Sequence, residues 1–252
     1  GAAIATLIAQ AVSAVLVTVT LMYRTEGMKL CLSQIRMYKR MLQSILKIGL
    51  PAGFEAIMYS ISNIIVQVSI NNFGVDTMAA WTAYSKIDFI FWMINSAFGI
   101  SVMTFVGQNY GAGKWDRIRR GTKICLGMAL ISAVSVSIIL MSAERFLFGI
   151  FVNDAGVVEI GIRMMNVIAP AYLLFAFIEV FSGALRAQGA VVVSTLITMV
   201  GICVLRMIWV TLVAAHGTLE QVIICYPITW AAGALAMSIY YIYKQRKILQ
   251  AG

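Results

Sequence analysis

The sequence predicts an all-α polytopic membrane protein with about seven transmembrane helices. Of its 252 residues, 61% are hydrophobic and only 12% are charged, whereas soluble domains average about 45–50% apolar and about 25% charged residues. The mean hydropathy is +0.91, which is more apolar surface than a soluble core of this length buries. Apolar stretches of about 20 residues, the length that crosses the hydrocarbon of a bilayer, recur along the whole chain.

Seven stretches are long and apolar enough to span a bilayer. They cover residues 1–23, 48–71, 78–106, 122–142, 163–185, 190–214 and 220–243. The chain starts with Gly-Ala-Ala inside the first apolar run, without an initiator Met or a basic segment, which is unlike a signal peptide. We therefore expect residues 1–23 to be the remaining part of a helix in a chain cut from a longer protein.

Basic residues are concentrated in alternate loops. Most of the 19 Lys and Arg residues lie in the C-terminal tail and in residues 24–47, 107–123 and 186–189. The intervening loops hold only Arg145. The positive-inside rule places basic loops in the cytoplasm, so the sequence predicts that the 24–47 loop and the C-terminus are cytoplasmic. This rule also accounts for the net charge of +9 without a nucleic-acid partner.

The segment between the first two spans has a pattern of its own. Residues 28–47 mix basic side chains with Leu, Ile and Met. This mixture favours an amphipathic helix that lies on the inner leaflet. The alternative is a plain basic connector.

The second span carries its polar side chains on one face. At about 100° per residue, one arc of the helix holds Pro51, Glu55, Tyr59, Ser62, Asn63 and Gln67, and the opposite arc is wholly apolar. We expect the polar face to line a cleft or a water-filled cavity. Hydrogen bonding between packed helices is the alternative. It explains Glu55 poorly, because a carboxylate at depth costs about 2.5–3.5 kcal/mol. Pro51 bends the helix and frees a carbonyl, which is tolerated where the backbone lines a cavity.

The third span has a second polar face. Asp88 shares it with Tyr84, Trp92 and Asn95, and an acid flanked by aromatic rings and an amide is suited to an organic cation. A belt of aromatic and Lys side chains at the membrane interface is the alternative.

Depth in the membrane suggests two layers of charge. At about 1.5 Å per residue, Glu55 and Glu179 both lie roughly 10 Å above the inner edge, where they would form an acidic layer. Arg206 and Asp88 lie at roughly 24 and 28 Å, so we predict that they form a structural charge pair.

Other patterns give no catalytic or metal site. GQNYGAGK at 107–114 lacks the spacing of a phosphate-binding P-loop and is interpreted as a glycine-permitted loop. The four cysteines are far apart and include no C-x-x-C. His216 stands alone in a loop, and no Ser/His/Asp or Cys/His arrangement occurs at one depth. The sequence therefore does not predict an enzyme.

Four motifs resemble the second half of MATE (multidrug and toxic compound extrusion) transporters. They are LPAGFE at 50–55, SNIIVQ at 62–67, FVGQNYGAG at 105–113 and GALRAQGA at 183–190. Their order and spacing resemble that family over essentially the whole chain. The resemblance implies three parts: residues 1–23 as the last helix of an N-terminal lobe, 24–47 as a cytoplasmic inter-lobe linker and 48–247 as a C-terminal lobe of six transmembrane helices.

The resemblance also implies a function. The full-length protein would be a monomeric secondary transporter of the cell's inner (cytoplasmic) membrane that exports drugs or organic cations by alternating access, driven by entry of H⁺ or Na⁺. No cofactor beyond the coupling ion is implied. The implied partners are the substrate, membrane lipid and the missing N-terminal lobe.

Site residues follow from the same resemblance. Glu55 matches the family's seventh-helix carboxylate, a proposed cation site, which makes it the candidate Na⁺ ligand. The tenth-helix aspartate used in one branch of the family has no match, because the sequence near Phe175 is apolar. Glu179 lies one turn further on the same face, so Glu55 and Glu179 are the candidate cation-coupling residues.

Two alternatives remain open. A lipid-linked precursor flippase of related fold would need a strongly cationic cleft, for which Lys86 and Arg206 are the candidates. A non-transporting membrane scaffold or receptor would be indicated by an extracellular disulfide, but the outer loops contain no cysteine.

Overall fold

The computed structural model describes residues 2–23, 30, 31, 33, 35–213 and 217–251. All regular structure in these residues is helical, which confirms the predicted fold class. Seven helical segments are long and apolar enough to cross a membrane, which confirms the predicted number of spans. Residues 24–29 of the predicted cytoplasmic loop and the loop residue His216 lie outside the described residues.

The helices are numbered in chain order. Their bounds are α1 (Ala2–Tyr23), α2 (Lys39–Asn71), α3 (Val75–Gly111), α4 (Trp115–Ser142), α5 (Glu144–Phe151), α6 (Ala155–Ile168), α7 (Tyr172–Ala187), α8 (Val191–Thr198), α9 (Leu205–Ile208), α10 (Leu219–Ile223) and α11 (Cys225–Ala251). A 3₁₀ turn joins α6 to α7, so the two make one span. π-helical segments at Met199–Val204 and Trp209–Val213 flank α9, and together with α8 they make another span.

The chain divides into two units, residues 1–47 and 48–252. In the first unit, none of the apolar window of α1 is buried (0%), so lipid or another protein segment must cover its apolar faces. Residues 35–38 are not helical, and α2 begins only at Lys39. The predicted amphipathic helix over 28–47 is therefore wrong for its described residues before Lys39. From there the basic segment continues without a break into the second span.

The structure corrects two predicted boundaries, the start of the fifth span and the turn at Arg186. The fifth span begins at Ala155 and not at 163, because the Asp154 carboxylate caps α6 by accepting from the backbone N–H groups of Gly156 (2.7 Å) and Val157 (3.1 Å). Arg186, predicted in a turn, lies in the last turn of α7. The turn itself follows at Gly189, whose φ of 79° suits glycine. The loop predicted at GQNYGAGK likewise has Gly113 at a φ of 68°.

In the second unit, the span formed by α6 and α7 is the most deeply buried. Helices α3 and α7 approach closely, since a Cβ atom on Gly183 would lie 2.8 Å from the Gly99 carbonyl oxygen. Further along the same pair, the rings of Phe91 and Tyr172 stack with centroids 3.8 Å apart. This contact fixes α7 beside α3, so that polar side chains of both helices reach the same cavity.

Candidate functional site

A cavity of about 1030 Å³ opens between α2, α3, α7 and the helices that follow. Most of its wall is apolar, as is usual for ligand sites. Its polar lining comes from five spans and includes Glu55, Tyr59, Asn63, Asn95, Ser96, Glu179, Ser182, Arg186, Thr198, Arg206 and Tyr226. The charged residues in this described lining are two acids and two bases, so their formal charges balance.

A salt bridge between Glu55 and Arg186 crosses one end of this cavity. Arg186 Nη2 donates to both carboxylate oxygens of Glu55 at 2.7 Å. The Thr195 hydroxyl donates to Glu55 Oε2 at 3.0 Å. The side chains are only 11% (Glu55) and 28% (Arg186) exposed, so this charge-assisted contact is shielded from solvent. Helices α2, α7 and α8 are thereby joined at one carboxylate.

Glu179 stands beside this salt bridge without joining it. Its carboxylate interacts electrostatically with the charges of Arg186 and Glu55. It has no hydrogen-bond partner within the described part of the chain. A Cβ atom on Gly99 would lie 2.1 Å from Glu179 Oε1. The glycine therefore supplies the space that this carboxylate occupies. Glu55 and Glu179 face the same cavity, but Arg186 compensates Glu55 far more directly.

The structure corrects the predicted pair of Asp88 and Arg206. Arg206 is 2% exposed and donates to Asn63 Oδ1 at 3.2 Å. Its guanidinium carbon lies 4.3 Å from the centroid of the Tyr226 ring. The depth estimate placed both charges in one layer, but it did not fix the direction in which each points. The π segments on both sides of α9 have wider turns than an α-helix, so α-helical counting does not give the face of Arg206.

Asp88 has neutral donors in place of a basic partner. Its Oδ2 accepts from Trp92 Nε1 at 2.5 Å, and its Oδ1 accepts from the Tyr172 hydroxyl. The Tyr172 oxygen is in turn 3.1 Å from the hydroxyl of Tyr84. Asp88 lines a second, smaller cavity of about 280 Å³, whose wall is rich in aromatic rings.

The predicted cleft residues separate into three groups. Tyr59, Asn63 and Asn95 line the larger cavity, and Asn63, Gln67 and Asp88 line the smaller one. Pro51 and Ser62 line neither of the two; the burial of Ser62 corrects its assignment to the cleft, and the assignment of Pro51 stays a prediction. Ser62 is fully buried on the packing side of α2, and Pro51 lies one turn before Glu55.

Sequence reasoning missed Arg186 and Thr195 as partners of Glu55. One available signal was spacing: Glu179 and Arg186 are seven residues apart, which puts them on one helix face. Thr195 has no such signal, because its contact depends on how α8 packs. In the described residues, no cluster of three His, Cys, Asp or Glu side chains suited to a metal ion is found, and the four cysteines are free.

The geometry defines a polytopic all-α membrane protein with a charged, membrane-embedded cavity. The MatE family model matches residues 51–212, and the chain belongs to this family. It is 25% identical over 219 residues to a "Probable multidrug resistance protein YoeA" of Bacillus subtilis (strain 168), a match that covers 85% of this chain and 47% of that protein.

Solved structures share the fold. A crystal structure of MATE in complex with MaL6 has a TM-score of 0.90 at 16% identity, covering 99% of this chain and 57% of that one. An outward-facing multidrug resistance MATE family transporter has a TM-score of 0.89 at 18% identity, and the match covers 99% of this chain and 57% of that one. The chain thus spans about half the length of the relatives it matches.

Proposed function

We propose that this chain contains the C-terminal lobe of a multidrug exporter that couples the exit of organic cations to the entry of H⁺ or Na⁺. The observation that supports this most directly is the group formed by Glu55, Arg186 and Glu179 on one side of a large membrane-embedded cavity. Ionisable residues inside a membrane protein typically mark an ion or substrate path. The printed names of relatives, which refer to multidrug resistance, support the class of cargo.

The mechanism that fits this group is competition for carboxylates. Of the two acids in the larger cavity, Glu179 is the one that has no hydrogen-bond partner among the described residues, so it is the first to take up an entering proton or Na⁺. Glu55 already has a cationic neighbour, and an ion that binds there competes with the guanidinium of Arg186. Displacing that guanidinium would loosen the contact that joins α2 to α7 and α8. Transport requires that the two access states differ in affinity for the ion and for the substrate.

The remaining parts of the transporter are proposed on the same basis. Residues 1–23 and 24–47 would be the last helix of an N-terminal lobe and a cytoplasmic linker, with 48–247 forming the C-terminal lobe. The full-length protein would be a monomer in the inner (cytoplasmic) membrane with a cytoplasmic C-terminus. It would need no cofactor beyond the coupling ion. The balanced charges of the larger cavity argue against a lipid-linked pyrophosphate cargo, which needs a cationic cleft.

Export from cells tests this proposal. We expect Glu55→Gln in the full-length protein to abolish export of a fluorescent organic cation while its membrane abundance stays at the wild-type level. Glu159→Gln is the matched control, because Glu159 is an exposed acid outside the cavity that pairs with Arg145 at 3.2 Å. Export by Glu55→Gln equal to that of the control would contradict the proposal.

A further inference from the structure

We infer that the smaller cavity beside Asp88 is a subsite for the head group of quaternary or tertiary ammonium compounds. This inference rests on the proposed function for the presence of an organic cation. It goes further by assigning a separate place, away from the Glu55 and Glu179 carboxylates, where the positive head binds. Six aromatic side chains contribute to the wall: Trp81, Tyr84, Phe89, Trp92, Tyr226 and Trp230.

The charge of the cavity favours a cation. Asp88 is the only charged residue in the described lining of this cavity. Both of its oxygens accept hydrogen bonds, from the indole N–H of Trp92 and the hydroxyl of Tyr172. Because Tyr172 donates to Asp88, its own oxygen is left to accept from Tyr84 at 3.1 Å. This chain of neutral donors stabilises an ionised carboxylate.

No basic side chain in the described residues neutralises that carboxylate. Arg206, the base that the sequence suggested, bonds to Asn63 and stacks on Tyr226. The negative charge of Asp88 is therefore available to a ligand in the cavity. The other residues of the described lining are neutral, and Arg206 lies behind Asn63 and Tyr226 and not in the lining, so the lining itself attracts a cation and disfavours an anion.

Two of the ring pairs in the wall meet at steep angles, and two are closer to parallel. The rings of Trp92 and Trp230 meet at 78° with centroids 6.0 Å apart, and those of Tyr226 and Trp230 meet at 70° with centroids 5.5 Å apart. Trp81 lies 5.9 Å from Tyr226 and stacks on Tyr84 at 5.4 Å. Rings that face in different directions around an acid resemble the aromatic cages that bind quaternary ammonium groups.

Two of the donor groups on the wall bond within the protein. The Ser85 hydroxyl donates to the Trp81 carbonyl at 2.8 Å, and the Gln67 amide donates to Asn71 Oδ1 at 2.8 Å. The Trp230 indole N–H has no hydrogen-bond partner among the described residues, so the site offers ring faces, one negative charge and this free donor. A substituted ammonium group, which has one N–H group or none, is well matched to such a site.

Size indicates that only the head group enters. The volume of about 280 Å³ lies just below the range of roughly 300–1,000 Å³ for pockets that hold a drug-sized ligand. The two cavities share Asn63, Phe89, Trp92 and Tyr226 in their walls. A ligand with its ammonium group beside Asp88 would therefore extend the rest of its body into the larger cavity.

The test compares choline with 3,3-dimethylbutanol, its neutral isostere, in binding to the full-length protein in lipid nanodiscs, measured by calorimetry. We expect choline to bind at least about tenfold more tightly than the isostere. Asp88→Asn should remove this difference, and Asp76→Asn, an exposed acid on the same helix, should keep it. Equal Kd values for the two probes in the wild type, or an unchanged choline Kd in Asp88→Asn, would overturn the inference.

A second variant keeps the inference testable if Asp88→Asn does not fold. Trp81→Leu removes one ring face at the edge of the cavity but keeps an apolar side chain there, so it should weaken choline binding more than binding of the isostere. Equal weakening of both probes would overturn the inference.

The two proposals fail in different experiments, because choline binding is measured without an ion gradient. If the subsite is wrong, choline selectivity is absent while ion-coupled export stays intact. If the proposed function is wrong, choline still binds selectively while Glu55→Gln exports as well as its control.

Discussion

Arg186 donates both of its 2.7 Å contacts to Glu55 through a single nitrogen, Nη2. The contact joins the last turn of α7 to α2, whose other polar links to the later spans are Thr195 on Glu55 and Arg206 on Asn63. Both partners are largely shielded from solvent. The position of α2 therefore depends on a charge contact that an incoming cation can compete with.

Breaking this contact from one side should destabilise the protein. We expect Arg186→Gln to lower the free energy of unfolding of the full-length protein by about 1–3 kcal/mol, between the values for surface and fully buried pairs, because Glu55 keeps a charge without its partner. The double variant Arg186→Gln with Glu55→Gln should recover part of this loss. Denaturation in detergent measures both changes, and purely additive effects of the two substitutions would contradict the salt bridge.

Asp88 and Arg206 should behave in the opposite way. Each has its own partners and they do not bond to each other. The stability changes caused by Asp88→Asn and Arg206→Gln should therefore add to within about 0.5 kcal/mol. The same unfolding measurement serves as the readout. A coupling energy similar to that of Glu55 and Arg186 would restore the pair that the sequence predicted.

Gly99 gives a test of the space around Glu179. We expect Gly99→Ala to displace the Glu179 carboxylate, because the new Cβ would lie 2.1 Å from Oε1. The carboxylate is the far end of a flexible side chain and can move, so the protein should fold while the ion concentration for half-maximal export changes several-fold. Gly107→Ala is the control on the same helix, since no atom lies within 4 Å of its added Cβ. The same ion dependence in both variants would show that Glu179 does not take part.

Apolar length predicted the spans well, whereas the chemistry of the site depended on contacts between helices. Seven apolar stretches gave seven spans because the bilayer fixes the length of a helix. The start of the fifth span was misplaced because the cap at Asp154 lies outside the apolar run. The fold class needed no knowledge of side-chain packing.

The candidate site was predicted only in part. Placing the second span on a helix at about 100° per residue identified Tyr59, Asn63 and Gln67 as cavity residues, because the helical period alone decides which side chains share a face. The same helical count assigned Ser62 to the polar face of α2, although Ser62 lies at the edge of the polar arc and packs against protein. Counting depth from Arg186 treated that residue as the end of the membrane, so its long side chain was not considered as a partner for Glu55. The direction in which Arg206 points could not be counted through the π segments.

Ion-driven uptake into proteoliposomes tests the central claim most directly. The full-length protein would be reconstituted with an imposed H⁺ or Na⁺ gradient, and movement of an organic cation would be measured for the wild type, Glu55→Gln, Glu179→Gln and the control Glu159→Gln. We predict that the wild type and the control move the cation against its own gradient only when the ion gradient is present, and that both cavity variants lose this dependence. Gradient-driven transport that persists in Glu55→Gln and Glu179→Gln would contradict the account.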